Sequence, residues 1–294
     1  SVCRGLGDVY KRQTYGDEII YDICLELLGA TEDQKNRFKI NQITGEAVDE
    51  FIRKMRITGV VSLRGNGRFI DFNSFEMEKI EYILDNYVNY SNYQSKREFF
   101  DYMGSIDTEI VSLTQIVDDS IVFDARINTL NQWATEYTKE DIANELNILS
   151  RNGESRNAIL RVIDKPTRLE FLTSIALKQN FVDLDVRPNY HVDDEGLPTF
   201  TASGGVADIE CYDTDCNSLF EVTLMCARNQ ATNEMPAITR HLQEAIEKEP
   251  NITHFSMLIA PSIHTDTKYM AGYSKYQYGI DILTLTITEF IEQI

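Results

Sequence analysis

The sequence predicts a multidomain α+β chain, and three observations carry that expectation. Residues 14–73 read as a locally basic helix–helix–hairpin pattern, 74–150 as an acidic series of amphipathic helices, and 151–294 as mixed helix and strand. With 294 residues and 43% hydrophobic side chains, the chain can bury more than one core. No run of 18 apolar residues is present, so no membrane-spanning helix is expected. The first residues do not read as a charged, apolar and small-residue leader, so a signal peptide is not expected there. The five cysteines are odd in number and unevenly spaced, which fits reduced thiols better than a zinc site or a disulfide framework.

The first module is the basic one. Net charge is −19 overall, but residues 1–73 carry 11 basic and 11 acidic side chains, while residues 74–294 carry 17 basic and 36 acidic. Such a balance excludes a simple nucleic-acid coat protein and leaves one phosphate-facing stretch, 35–68, near the N-terminus. Residues 1–13 resemble a translated adapter leader and are expected to be non-native, with the natural chain extending upstream; they are set aside from the fold. A helix is expected over 17–29, ended by Gly29, and a second over 46–57 with Val48, Phe51, Ile52 and Met55 as its apolar stripe. Strands at 59–63 and 68–72 flank Arg64-Gly65-Asn66-Gly67, a hairpin signal because Asn-Gly supplies positive φ. Helix, helix and basic hairpin form the pattern of a winged helix. Arg53, Lys54 and Arg56 would then lie on or beside a recognition helix, and Arg64 and Arg68 on the wing, as contacts to double-stranded DNA. The same pattern also suits a small module that docks protein.

The linker follows. Helices are expected at 75–87, 95–103, 106–117, 120–135 and 138–151, with Trp133 in the core. A boundary is placed near 151, and Pro166 opens a new helix in its first turn.

The chemistry is expected in the C-terminal core. An apolar helix at 167–179 carries Glu170; a loop follows, then strands at 206–210 and 219–225 joined by a turn at 213–218. Alternation places Phe220, Val222 and Leu224 on one face, and Glu221 and Thr223 on the other. An acid within so apolar a strand is costly unless it meets a cation or a donor. Asp208 sits alike in the neighbouring strand. Two carboxylates on adjacent antiparallel strands can converge on one Mg²⁺, whose octahedral shell suits carboxylates, water and phosphate oxygens. A third acid such as Glu170 would hold a second metal or orient water. His241, in a helix over 232–248, can position water or contact phosphate, and Arg228 and Arg240 are phosphate-contact candidates. A strand at 252–260, a tyrosine-rich loop at 261–279 whose tyrosines are expected to pack, a strand at 280–285 and a helix at 286–294 complete the core.

These residues are similar to the nuclease superfamily whose signature is Pro-Asp, a spacer, then Asp/Glu-x-Lys, with Ala207 at the proline and Thr223 at the lysine. The departure at Thr223 narrows the resemblance. Glu-Val-Thr-Leu at 221–224 resembles the AlwI-type restriction endonucleases and their nicking relatives, which carry threonine at that place. Leu169-Glu170-Phe171, Gly205-Val206-Ala207-Asp208, and Glu234-Met235-Pro236 followed by Arg240-His241 resemble that family's other segments, in order, over about 160–245. The resemblance implies an N-terminal winged-helix-like module, a helical linker and a C-terminal α/β nuclease core. It also implies a Mg²⁺-dependent type IIS or strand-nicking DNA endonuclease, acting in the prokaryotic cytoplasm at a distance from an asymmetric site. Glu170, Asp208 and Glu221 would be metal ligands, with Thr223 and His241 beside them. Cutting the second strand would call for a homodimer or a small-subunit partner. A winged-helix regulator with an inactive nuclease domain, and a structure-specific repair nuclease, remain alternative readings of the same residues.

Overall fold

The computed structural model describes residues 18–19, 21–26, 39–40, 42–86, 93–113 and 117–294, with 105–109 and 111–112 as main chain only. The expected leader at 1–13, the stop at Gly29, and Cys3, Lys35 and Arg37 lie outside the described residues. The chain divides into two units, residues 1–125 with 193–197, and residues 126–192 with 198–294.

In the first unit, residues 18–19 and 21–26 are helical, and a π-helical turn at Gln42–Glu46 leads into α1 (Ala47–Ile57). Strands β1 (Val61–Arg64) and β2 (Phe69–Phe72) pair antiparallel, Val61 opposite Phe72 and Arg64 opposite Phe69. Gly65, Asn66 and Gly67 take φ of 58°, 57° and 78° in the turn between them, the left-handed conformation that the Asn-Gly pair accepts most readily. A 3-10 turn at Ser74–Glu76, capped by the Asn73 side chain, opens α2 (Met77–Asn86). The two helices expected at 95–103 and 106–117 are one, α3 (Lys96–Ser112), because Gly104 does not interrupt it.

Segment 193–197 supplies the partners of two arginines expected among the DNA contacts. Arg56 is 1% exposed, and its Nη1 lies 2.8 Å from Asp193 Oδ2, itself fully buried. Arg64 grips both carboxylate oxygens of Asp194 at 2.8 Å and reaches Glu195 at 2.8 Å. Burial opposes ionisation of Asp194, but hydrogen bonds from Arg64, Ser62 and Ser74 hold its carboxyl well below the usual range. The Arg56 guanidinium is thus buried within the first unit, while that of Arg64, 25% exposed, is held by Asp194 and Glu195 at its edge. Arg53 bonds Glu50 at 2.8 Å with its side chain 17% exposed. Lys54, 71% exposed, lies 3.4 Å from the same Glu50, and Arg68 is exposed.

The second unit is built on a five-stranded mixed sheet, ordered β3-β6-β7-β8-β9. β3 (Asp185–Pro188), β6 (Ile209–Tyr212) and β7 (Cys216–Val222) are antiparallel; β8 (Thr253–Ala260) and β9 (Asp281–Thr286) continue in parallel from β7. β4 (His191–Val192) and β5 (Pro198–Phe200) form a separate ribbon. The sequence showed β3, β4 and β5 only as a loop, because Pro188, Asp193, Asp194, Gly196 and Pro198 interrupt every apolar run there.

The helical region also divides differently from the expected boundary near 151. α4 (Asp119–Glu136) belongs to the second unit from Arg126 onward, as does α5 (Lys139–Ser150), which Thr138 and Asp141 start with a capping box. Side chains explain this. Trp133, 4% exposed, stacks on Tyr137 and meets Phe171 edge-on, and Gln179 Nε2 donates to the carbonyls of Ala134 and Tyr137. Phe171 lies on α6 (Lys165–Asn180), whose residues 167–177 are all buried.

After β7 come α7 (Asn229–Asn233), α8 (Met235–Lys248), α9 (Thr265–Tyr278) and α10 (Ile287–Gln293). The expected tyrosine-rich loop is thus mainly the helix α9, which the His264 side chain caps and Gly279 (φ 71°) ends. Its tyrosines do not pack as expected: Tyr269 and Tyr276 are 79% and 88% exposed. Ala271 is the side chain that α9 contributes to the apolar cluster with Leu219, Ile238, Leu242, Leu258 and Ile282.

Candidate active site

One hairpin sets the geometry. The β6–β7 register pairs Ile209 with Phe220, so one further step brings Asp208 opposite Glu221. Asn189 fixes that end of the hairpin, its N–H donating to the Asp208 carbonyl and its Nδ2 to the Ala207 carbonyl. β6 therefore begins after Asp208 instead of containing it, and β7 ends before Thr223. β7 is central in the sheet and covered on both faces, so residues 217–221 are all buried. Glu221 shares the face of Leu219 by alternation, and Leu219 packs with Ile238 and Leu242 of α8. His241 on the same helix places Nδ1 2.8 Å from Glu221 Oε1 and is 8% exposed.

Glu170 comes from α6. A solvent-edge position would be usual for a glutamate on such a helix, yet it is 3% exposed, and its Oε2 accepts the Ala202 N–H at 3.0 Å. Asp208 Oδ2 accepts the Val222 N–H at 2.7 Å. Thr223 Oγ1 donates to Glu234 Oε1 at 2.9 Å and accepts the Met225 N–H at 3.0 Å. All five residues expected to be catalytic, Glu170, Asp208, Glu221, Thr223 and His241, line one cavity of about 560 Å³.

Two more lining residues matter. Glu234 and Arg240 stood in the sequence only as part of a family segment and as a phosphate-contact candidate. The signal that joins them to the site is helical spacing: 234, 237, 240 and 241 recur at three and four, and all line the cavity. Arg228, by contrast, is 82% exposed and pairs with Asp266 at 3.1 Å.

The segment leaving the cavity is held by Gln230. Fully buried, it donates from Nε2 to the carbonyls of Met225 and Ser262, and its Oε1 accepts from the His264 N–H and the Thr267 hydroxyl. Both donors and both lone pairs are thus satisfied. Ala227 just before it carries φ of 65°, a left-handed conformation costly to a residue with a Cβ.

The electrostatics are those of crowded acids. Burial first, then the Asp208 and Glu221 charges, push the Glu170 carboxyl up to about 9, against the Ala202 N–H. Burial and Glu221 raise Asp208 well above its ordinary value. Burial also raises Glu221, although His241 works against it. Among the described residues, no three Asp, Glu, His or Cys side chains stand already arranged around one metal position. A Mg²⁺ site asks for less, one or two carboxylates with water and phosphate oxygens in the remaining positions. Hard oxygen donors, packed out of water and crowded against one another, fit such an ion.

The family model described as AlwI restriction endonuclease matches residues 105–293. No curated protein matches the chain. Among solved structures, the crystal structure of the small subunit (R.BspD6I2) of the heterodimeric restriction endonuclease R.BspD6I aligns with a TM-score of 0.44 and 24% identity, over 52% of this chain and 77% of that one. The class is therefore that of a nuclease, one that acts on DNA. The chain belongs to the AlwI restriction endonuclease family.

Proposed function

We propose that this protein is a Mg²⁺-dependent, site-specific DNA endonuclease of the type IIS or strand-nicking kind, which cuts at a distance from an asymmetric site. The observation that carries this reading is the convergence of Glu170, Asp208, Glu221, Glu234 and His241 on one cavity in a chain of this family. Asp208 and Glu221 would hold the ion, with Glu170 beside them. A bound Mg²⁺ would polarise the phosphate, lower the pKa of attacking water and stabilise the leaving oxygen. His241 orients Glu221, and Thr223 orients Glu234. The first unit would act as a winged-helix-like recognition module. Lys54 and Arg68 would offer exposed cations beside the hairpin, with Arg53 next to them.

Each chain brings one such cavity. Cleavage of both strands would then draw on a second copy or a partner subunit. Run-off sequencing of the cut products tests the reading, since it reports site, offset and strand together. Breaks at a fixed offset from one asymmetric sequence are expected; breaks scattered over all sequences, or confined to branched DNA, would overturn it.

The acids also predict a pH dependence. A carboxyl whose folded pKa is raised stabilises the fold in its protonated form, so its contribution is complete below the unfolded value and is lost as pH rises through the folded one. For Glu170 the window runs from its ordinary value of 4.5 to about 9. Without metal, the second unit is expected to lose thermal stability steadily across that range. Mg²⁺ should restore it, more strongly at high pH, where the ligands are ionised. Thermal melts from pH 5 to pH 9, with Mg²⁺ and with chelator, check both signs.

A further inference from the structure

The signature lysine of the wider superfamily is absent, and Thr223, in its place, has its hydroxyl committed to Glu234. A cavity lined by four acids would repel the phosphate it has to cut. Among the described residues that line the cavity, Arg240 is the one Lys or Arg. Its side chain is 55% exposed, and its nearest acid, Glu244, lies at 4.0 Å, at the outer limit of an ion pair. The guanidinium is thus neither buried nor locked to a partner, unlike Arg56 and Arg64, and it stands on α8 next to His241. We propose that Arg240 is a catalytic residue that grips a nonbridging oxygen of the phosphate being cut, taking over from a different element the role of the missing lysine.

The inference rests on the endonuclease reading. In hydrolysis, a bond forms from the water oxygen to phosphorus as the bond from phosphorus to the leaving sugar oxygen breaks. The water gives up a proton to solvent, and the leaving oxygen takes one up. Negative charge is redistributed over the nonbridging oxygens at the transition state, where a planar guanidinium with a forked donor pair matches their geometry. Because this contact tightens at the transition state, its loss lowers the rate of chemistry more than it weakens binding.

The test compares the full chain with Arg240→Gln and Arg240→Lys on a mixture of supercoiled plasmids with random inserts, in Mg²⁺ and with protein in excess. A single-turnover rate reports the chemical step. Arg240→Gln is expected to lower it about 100-fold, the usual size for removal of one charge-stabilising donor, with Arg240→Lys in between. The protein concentration giving half the maximal rate should stay within about threefold of the parent. Unchanged circular dichroism shows that the variants fold, as the exposed position of Arg240 leads one to expect. An unaltered rate for Arg240→Gln, or a loss seen only as weaker saturation, overturns the inference while leaving the endonuclease reading intact. A parent protein that cuts nothing overturns that reading instead.

Discussion

Asp208→Asn is expected to abolish DNA cleavage and, in the absence of metal, to raise the melting temperature of the protein. Loss of activity and gain of stability come from the same physics. Asp208 is held among Glu221, Glu170 and Glu234 with little water, and both burial and repulsion disfavour its charge. The amide keeps an oxygen to accept the Val222 N–H, which Asp208 accepts at 2.7 Å, so the hairpin end is preserved. Removing the charge relieves the site, and a gain of about 1 kcal/mol would appear as a rise of roughly 2–4 °C. The same change removes a hard ligand, so cleavage should fall by at least about a thousandfold. With Mg²⁺ the order reverses: the parent gains from ion binding and the variant does not. Melts with and without Mg²⁺, run beside a cleavage assay, check all three. A variant that loses activity and also melts lower in chelator would show that Asp208 is a structural carboxylate.

Arg56→Met is expected to have the largest effect on stability. It strips the cation from Asp193, which remains buried with backbone donors alone, from Glu195 and Leu197. Breaking a buried pair from one side usually costs about 3–5 kcal/mol. Burial already pulls the Asp193 carboxyl up, and Arg56 is the charge that opposes it. Chemical denaturation of the first unit, followed by limited proteolysis within 42–125, measures the loss. Adding Asp193→Leu should return part of it, since no charge is then left stranded. A parent-like denaturation midpoint for Arg56→Met would contradict the account of this pair.

Much of the candidate site is legible in the sequence because the cavity lining depends on short-range patterns. Glu221 interrupts an apolar strand, Asp208 directly precedes its neighbour, and an antiparallel hairpin brings such positions opposite each other. Glu170 is legible as a candidate third acid on an apolar helix, but its partner Ala202 comes from a distant segment that the sequence does not bring to it. Glu234 and Arg240 are not singled out by the sequence as cavity residues, because helical spacing alone does not say which face of α8 looks into the cavity. The edge elements β3, β4 and β5 were hidden by prolines and acids that suit a loop equally well. α9 was hidden by its own composition: exposed tyrosines obscure the apolar period that marks a helix. The fate of Arg56 and Arg64 was hidden most deeply, because their acidic partners lie about 130 residues further along the chain. A basic cluster in sequence reads as surface until its partners are known.

The most direct measurement for the central claim is the fate of supercoiled plasmid DNA of varied sequence incubated with the parent protein, in Mg²⁺ and in chelator. Conversion to nicked or linear product in Mg²⁺, absent in chelator, is the predicted result. Plasmid that stays supercoiled in Mg²⁺ and in Mn²⁺ alike, while the protein is folded and binds DNA, would contradict it.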